Sequence, residues 1–520
     1  MIKRILFSIL TFTAALTAVF YLQSCDVKSP IENVKVIFDT EAPKNPASVS
    51  FLDARTSGLV TTDIAVTIIG TDKDKIIDFG KNAKTSFTSS GGIVAFAVRD
   101  DATFPVNVTV VATVNGYITT SMPVSIAKGG GAYSVYMVNK LNPPDGVSIK
   151  ETVFGETNAA GIVAQSFSVS TDFIPGSTVG GVGKIRLPAG TIITDVASNP
   201  LVGTLRTTIA YFDPTRETAL RCFPGGFTTG TNTMVSAGFT SIEITDGSGK
   251  SARNFGAQEP EITIEIPAGT NNYAMGRPIQ AGDIIPVLSY NPATGANAGT
   301  WINEESGTVA PGGNSNFAIT FTASHLSYWN LDFLQGPNCT MSRPIKLIQA
   351  GGCSNLPLEL RMYFVASNGV ESYYRTLYVS AADTAFQFYY APSANMKIKV
   401  YYNNTLVQTT GVVSLCSAGD LVINYSIPNL QPITGTVMGI CMDNTNIQIR
   451  PTLPIYYRPA GTTNWMYLGY MVNGVLTGNC AAFGNYDFMT YYNNQAIFAL
   501  NVPITTNNIS FTYNLPNCVQ

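Results

Sequence analysis

The chain has 520 residues, with 30 lysines and arginines against 33 aspartates and glutamates, a formal net charge of −3, and one histidine. The small negative charge excludes the basic surface that nucleic acid binding requires, and one histidine excludes metal centres built from several imidazoles. Apolar residues make up 45% of the chain and charged residues 12%, which excludes a disordered chain and predicts folded domains.

The first 25 residues have the plan of an export signal. Lys3 and Arg4 give a positive start, Ile5 to Tyr21 is an uncharged apolar run, and Leu22-Gln23-Ser24-Cys25 closes it. The closing tetrapeptide resembles the lipobox of bacterial lipoproteins. The resemblance implies that residues 1–24 are a signal peptide that is removed. It also implies that Cys25 carries covalent lipid, palmitate included, and no further cofactor is predicted.

This resemblance implies a place in the cell envelope, expected at the outer membrane of a Gram-negative bacterium, with the membrane as a partner through the lipid. Two or more acyl chains anchor a protein stably. The alternative is an uncleaved transmembrane anchor, but the apolar run is at the short limit of a bilayer span. Residues 25–45 predict a tether, in which Val34 to Phe38 could pair as an edge strand.

Residues 46–143 predict the first domain. Ile64 to Ile68 and Val106 to Val110 read as strands, and Asn115-Gly116 marks a turn. The order of strand, Asp-rich turn and strand resembles carboxypeptidase-regulatory-like β-sandwiches. The aspartates of that turn lack the glycine and distal glutamate of a calcium loop, so no metal site is predicted.

Residues 144–334 carry an internal repeat. Ile185-Arg186-Leu187-Pro188-Ala189-Gly190-Thr191 returns as Ile264-Glu265-Ile266-Pro267-Ala268-Gly269-Thr270, which predicts two related β-halves. With the later His325-Leu326-Ser327 and Trp329, these motifs resemble the extracellular β module of cartilage intermediate layer proteins and the related module of netrin receptors and ankyrins. The resemblance implies a pair of β-sandwiches and no enzymatic turnover.

Residues 335–430 and 431–520 predict two further β-sandwiches that repeat each other. Tyr401-Tyr402-Asn403-Asn404 returns as Tyr491-Tyr492-Asn493-Asn494, and Cys353 returns as Cys441 at nearly the same spacing. The period is that of a whole domain and not of a solenoid unit. We therefore predict an all-β protein of tandem β-sandwich domains, immunoglobulin-like or transthyretin-like.

Six of the eight cysteines follow residue 338, and an exported chain meets an oxidising compartment, which predicts disulfides in the C-terminal part. If the two modules are alike, Cys441 pairs with Cys480 and Cys353 with Cys416. Each bridge would contribute about 3–4 kcal/mol in the chain-entropy model. Cys339 and Cys518 each follow Pro-Asn and could pair together, although spacing alone does not fix connectivity.

His325 is the only histidine, so any imidazole chemistry must use it. His325-Leu326-Ser327 resembles the His-x-Ser/Thr sequence of self-cleaving modules, where the hydroxyl attacks the preceding carbonyl and the histidine takes its proton. The alternative is a purely structural role, in which this segment only forms part of the last strand of its module. A glycan-active enzyme with Glu304 and Glu305 as paired carboxylates is a further alternative, although the two are adjacent and expected to point apart.

The last two modules contain five pairs of adjacent tyrosines. Neighbouring strand residues face opposite ways, so one tyrosine of each pair could be exposed for sugars or protein partners. The candidates are Tyr374, Tyr390, Tyr402, Tyr457 and Tyr492. Cross-strand packing explains the same pattern and is the interpretation that we favour, because scattered exposed aromatic residues need no special explanation.

The sequence as a whole predicts a lipid-anchored envelope protein that acts as a surface binding, adhesion or scaffold module. Glycans or other envelope proteins are the expected partners, nucleic acid is not, and no catalytic turnover is expected.

Overall fold

The structure is a computed structural model that describes residues 36–39, 43–89, 91–173, 176–229, 232–290, 299–350, 356, 358–379, 385–402, 404–442, 445–460, 466–492 and 495–515. The regular secondary structure of the described residues is almost entirely strand, which confirms the all-β prediction. Val, Ile, Thr and aromatic residues favour strands because their side chains pack well on a pleated surface.

A short first strand, β1 (Val36–Asp39), precedes the N-terminal domain, residues 43–139. That domain is a sandwich of two four-stranded sheets, ordered β4-β6-β2-β9 and β5-β3-β7-β8, with a 3-10 turn at Lys73–Lys75. Its strands are β2 (Asn45–Asp53), β3 (Ile64–Ile69), β4 (Ile76–Ile77), β5 (Ser86–Ser89), β6 (Ile93–Val98), β7 (Val106–Thr113), β8 (Thr120–Ile126) and β9 (Gly131–Met137). Ile64, Val66 and Ile68 are buried while their neighbours are less so, as a period of two requires.

The central domain, residues 147–337, has a large sheet ordered β10-β14-β16-β25-β21-β22, with β15 added to β16, and a second sheet ordered β11-β12-β18-β24-β23. Its strands are β10 (Val147–Thr157), β11 (Phe167–Ser170), β12 (Gly183–Leu187), β13 (Ile192–Thr194), β14 (Gly203–Phe212), β15 (Thr228–Thr229), β16 (Asn232–Asp246), β17 (Asn254–Gly256), β18 (Glu261–Ile266), β19 (Asn271–Asn272), β20 (Arg277–Pro278), β21 (Ile284–Tyr290), β22 (Trp301–Thr308), β23 (Ala310–Pro311), β24 (Phe317–Thr322) and β25 (Tyr328–Pro337). A single helical turn, α1 (Glu217–Leu220), follows β14.

The two Pro-Ala-Gly-Thr copies end β12 and β18, which are antiparallel neighbours in one sheet. In both copies the proline carbonyl accepts a hydrogen bond from the threonine N–H three residues on, 3.3 Å at Thr191 and 2.8 Å at Thr270. The repeat therefore marks two related strand-turn units that pair inside one sheet. The resemblance implied two sandwiches, but the repeat does not divide the domain in that way. The strands of the two copies are hydrogen-bonded neighbours in one sheet.

The last two modules are module A, residues 339–425, and module B, residues 431–515. Module A contains β26 (Cys339–Met341), β27 (Ile345–Gln349), β28 (Leu358–Val365), β29 (Glu371–Val379), β30 (Ala385–Phe386), β31 (Tyr389–Ala391), β32 (Asn395–Tyr402), β33 (Thr405–Thr409), β34 (Val413–Ser414) and β35 (Leu421–Tyr425). Module B contains β36 (Gln431–Cys441), β37 (Ile447–Arg450), β38 (Leu453–Pro459), β39 (Met466–Met471), β40 (Val475–Ala481), β41 (Gly484–Tyr492), β42 (Gln495–Ile504) and β43 (Asn508–Leu515).

Modules A and B share one topology. Their four-stranded sheets run β29-β28-β32-β33 and β39-β38-β41-β42. In each module a strand near its start pairs in parallel with its last strand, β27 with β35 and β36 with β43. The same order in both modules agrees with the repeated sequence markers.

The first described strand pairs with module B. β1 pairs in parallel with β37 of module B, with Val36 opposite Ile447 and Asp39 opposite Arg450. The predicted tether therefore contains a strand, as the alternation of Val34 to Phe38 indicated. Chain entering from residue 35 is fixed to module B before it reaches the N-terminal domain.

The domains also contact one another through buried side chains. Tyr402 and Tyr457 join modules A and B through their hydroxyls, 2.7 Å apart. Tyr456 of module B packs against Ile93 of the N-terminal domain. Ser121 of that domain hydrogen-bonds Tyr290 of the central domain at 2.6 Å. The domains therefore pack against one another and are not independent units joined only by linkers.

Candidate functional sites

The His325-Leu326-Ser327 segment connects β24 to β25 and lies against β17. Asn254 and His325 form an isolated bridge, and the Leu326 N–H donates to the Arg253 carbonyl at 2.8 Å. Leu326 and Ser327 are buried, and His325 is half-buried. The segment is therefore a fixed connection held by the neighbouring strand.

His325 has an acidic and an aromatic neighbour. Its Nε2 lies 3.8 Å from Glu304 Oε1, and its ring centre lies 5.2 Å from that of Trp329. Burial lowers the pKa of His325, with Glu304 opposing that shift and Arg253 adding to it. The imidazole is neutral at pH 7 and can accept a proton.

The hydroxyl and the carbonyl that self-cleavage would use have other partners. Ser327 Oγ donates to the Tyr290 carbonyl, and the Leu326 carbonyl accepts from Arg253 Nη1 at 2.6 Å. The guanidinium is thus placed on the oxygen that would become negative during attack. The described arrangement therefore does not aim the Ser327 hydroxyl at the Leu326 carbonyl, and attack would require that hydroxyl to turn away from Tyr290.

Glu304 and Glu305 do not form a facing pair. Glu304 accepts a hydrogen bond from Ser289 Oγ at 2.5 Å and lies beside His325. Glu305 of β22 lies opposite Val287 of β21, next to a break in the register of that strand pair. Adjacent residues of one strand do not flank a substrate from two sides. The glycosidase alternative stays a prediction without a described cleft at these residues.

The exposed-tyrosine hypothesis is wrong for three of its five candidates, and their burial agrees with the favoured interpretation of cross-strand packing. Tyr374, Tyr402 and Tyr457 are buried, with 0%, 9% and 1% of their surface exposed. Their partners Tyr373 and Tyr456 are buried too. Both faces of these sheets are covered, one by the module's own core and the other by a neighbouring domain. The side chains of Tyr390 and Tyr492 lie outside the described part of the chain.

The disulfide pairing also differs from prediction. Cys339 is bonded to Cys416, with Cα atoms 5.7 Å apart. A cysteine forms one bridge, so the predicted pairs Cys353–Cys416 and Cys339–Cys518 are wrong. Cys353 and Cys518 themselves, like the lipidation candidate Cys25, lie outside the described residues.

The predicted Cys441–Cys480 bridge does not fit the register. Cys480 lies opposite Pro432, at the other end of β36 from Cys441. At about 3.3 Å per residue the two Cα atoms are ~30 Å apart, and a disulfide needs less than about 7 Å. Cys441 is disulfide-bonded, but its partner is not among the described side chains.

Sequence reasoning missed a junction at α1 where three domains meet. Glu217 accepts from Tyr363 Oη at 2.8 Å and from Arg361 Nη1 at 3.2 Å, both in module A. The Arg221 guanidinium lies 4.0 Å from the ring centre of Tyr136 in the N-terminal domain. Nothing in the local sequence marks Glu217 as an interdomain group, because its partners lie about 145 residues downstream.

Beside this junction lies Cys222, a free and buried thiol. Burial raises its pKa to about 12, and its Sγ donates to the Thr218 carbonyl at 3.3 Å. A thiol held protonated in this way is a poor nucleophile. Cys222 is therefore a core residue of the junction and not a reactive site.

The described part of the chain holds no helix long and apolar enough to cross a membrane. The histidine, cysteines and acids of those residues form no cluster of three that could hold a metal ion.

No protein-family model matches the chain, and no curated protein does. Solved structures similar to it include a Streptococcal ancillary pilin, at 12% identity over 48% of this chain and 97% of that one, with a TM-score of 0.15. The Bacillus anthracis TIE protein matches at 7% identity over 72% and 76% of the two chains, with a TM-score of 0.14. BcpA, the major pilin subunit of Bacillus cereus, matches at 9% identity over 91% and 99%, with a TM-score of 0.13. Superpositions this loose carry no argument about what this chain does.

Proposed function

We propose that the chain is a lipid-anchored cell-envelope protein whose β-domains act as a surface binding or scaffold module. The observation that carries the proposal is the N-terminal segment, with its positive start, apolar run and Leu22-Gln23-Ser24-Cys25 ending. Several acyl chains on Cys25 would hold the protein in the membrane for long periods.

The position of β1 supports an attached and oriented body. Only residues 26–35 separate Cys25 from Val36, and an extended residue spans at most about 3.5 Å, so module B would lie within about 40 Å of the lipid. Parallel pairing of β1 with β37 fixes the chain at that point. Packing between the domains would then carry the orientation of module B to the rest of the body.

Lipidation can be tested directly. We expect an alkyne-labelled palmitate fed to the native cells to label the protein, and mass spectrometry to find a mature N-terminus at an acylated Cys25. Cys25→Ala should lose the label and the membrane fraction, whereas Ser24→Ala, a small-for-small change beside it, should keep both. An unacylated Cys25 with residues 1–24 still attached would contradict the proposal.

Self-cleavage between Leu326 and Ser327 is a second candidate function, favoured by the Arg253 contact to the Leu326 carbonyl. Ser327 Oγ would attack the Leu326 carbonyl carbon and give its proton to His325. The C–N bond would then break, with a proton to the new amine, and water would open the resulting ester.

Under this second function a denaturing gel of purified protein shows two fragments that meet between residues 326 and 327. Ser327→Ala should restore one intact band, and Ser125→Ala, at an exposed serine on β8 of the N-terminal domain, should leave both fragments. One intact band in the unaltered protein, unchanged by Ser327→Ala, would remove this candidate.

A further inference from the structure

A cleft of about 340 Å³ lies between the central domain and module A. One wall is the turn between β19 and β20 together with Gln335 of β25. The other wall is the end of β28 with the turn after it and the start of β32. The lining includes Tyr273, Met275, Gln335, Phe364, Ser367 and Asn395. Clefts of this size at domain junctions are common places for small ligands.

The walls of the cleft are held in place without a ligand. Asn368 Nδ2 donates to Asn271 Oδ1 at 2.8 Å across the junction. Arg277 Nη2 lies 2.7 Å from the largely buried Asp283, which also accepts from Asn272 at 3.0 Å and so fixes the base of the β19–β20 turn. A preformed site loses less entropy when a ligand binds.

The rings of the cleft are also fixed. Phe364 is 1% exposed, and the Tyr273 ring centre lies 6.5 Å from that of Phe333. Burial raises the pKa of Tyr273 to about 12, with Ser372 as a hydrogen-bond neighbour. Tyr273 is therefore a neutral phenol at any physiological pH, with a ring that offers an apolar surface.

The polar groups of the cleft are neutral amides and hydroxyls. None of the lining side chains is charged, and the nearby Glu371 is paired with Lys397 at 2.5 Å and Lys399 at 2.8 Å. Gln335 Nε2 makes one long bond, 3.5 Å to the Phe333 carbonyl, so its amide keeps capacity for a ligand. A charged ligand would find no counter-charge here.

We propose that this cleft binds a neutral saccharide, a sugar unit of a glycan chain. Its hydroxyls would meet the amides of Gln335 and Asn395 and the Ser367 hydroxyl, and its C–H face would lie on the half-buried Tyr273 ring, which the buried Phe364 backs within the cleft wall. The inference rests on the proposed surface-binding function and names the ligand class for it.

The test uses the detergent-solubilised, lipidated protein on an array of neutral, acidic and basic glycans, followed by calorimetry with the best neutral sugar. We expect neutral glycans to bind. Gln335→Ala and Asn395→Ala should each weaken binding about fivefold, the loss of one hydrogen bond, without changing the melting temperature. Gln408→Ala, which removes an amide on β33 that donates to Asn424, should leave affinity unchanged.

The outcomes separate this inference from the anchor. A protein that is acylated at Cys25 but binds no neutral glycan overturns the cleft proposal and leaves the anchor intact. Glycan binding that Gln335→Ala and Asn395→Ala both leave unchanged places the ligand elsewhere and also overturns it. Stronger binding of acidic glycans or of peptides than of neutral sugars does the same.

Discussion

Removing the Cys339–Cys416 bridge by the double change Cys339→Ala and Cys416→Ala is expected to lower the free energy of unfolding of module A by about 4 kcal/mol. The bridge closes a loop with a sequence separation of 77, and in the chain-entropy model a loop of that length restricts the unfolded chain by about this amount. The loss is a large part of the stability of a single domain.

The position of the bridge makes the expected effect local. Both sulfurs lie near the Ala391 carbonyl, 3.3 Å from Cys339 Sγ and 3.6 Å from Cys416 Sγ. The bond thus ties β26 to the chain after β34, beside β31, which pairs with β26 through the backbone. Without it, amide hydrogens of β26 and β31 should exchange faster while those of the N-terminal domain keep their rates.

Denaturant unfolding with and without reductant checks this prediction. Reductant should destabilise the unaltered protein more than the double variant, because the variant has already lost this bridge and responds only through Cys441. Cys222→Ala, which removes a free thiol, should leave the reductant response at its full size. Equal responses of the double variant and the unaltered protein would contradict the assignment.

The strand class and the repeat could be predicted from sequence because both are local patterns. Alternation and β-propensity mark strands residue by residue, and the Tyr-Tyr-Asn-Asn repeat marks two modules with one topology. The β1 strand was visible for the same reason. Each of these features depends on neighbours in the chain.

The burial of both tyrosines of a pair and the pairing of the cysteines could not be predicted, because both depend on contacts between residues that are distant in sequence. Tyr373 and Tyr374 can face opposite sides of a strand without either side being exposed to solvent. Phe227 of the central domain packs near both rings, with ring centres 6.2 Å away in each case. Disulfide pairing depends on strand register, which placed Cys480 opposite Pro432. The cleft between the central domain and module A likewise joins chain segments that are far apart in sequence.

A buried acid in the central sheet gives the second large expected effect. Asp332 is fully buried on β25, and burial raises its pKa well above the usual value, with hydrogen bonds from the Val235 N–H and Asn330 opposing that shift. Asn330 Nδ2 donates to Asp332 Oδ2, and Ser236 Oγ hydrogen-bonds Asn330 at 2.6 Å. The other carboxylate oxygen of Asp332, Oδ1, has no hydrogen-bond partner in the described structure.

The folded protein therefore keeps the Asp332 proton at pH values where the unfolded chain has lost it. Between the unfolded pKa, about 3.9, and the raised folded value, the native state binds more protons. The free energy of unfolding must then fall as pH rises, by at most about 1.4 kcal/mol per pH unit from this group. The stabilising state of Asp332 is the protonated one, present in full below about pH 4.

Asp332→Asn keeps the shape and the acceptor oxygen but removes the titration. We expect the variant to match the unaltered protein near pH 4 and to exceed it increasingly toward pH 8, by on the order of 2 kcal/mol or more, since an unpaired buried carboxylate is costly. Unfolding measured by denaturant across pH 4–8 gives the difference curve. Asp63→Asn, at an exposed position, should give a flat one. If the Asp332→Asn curve is equally flat, the carboxyl does not hold its proton, and the sheet must accommodate the charge through its hydrogen bonds from Asn330 and the Val235 N–H.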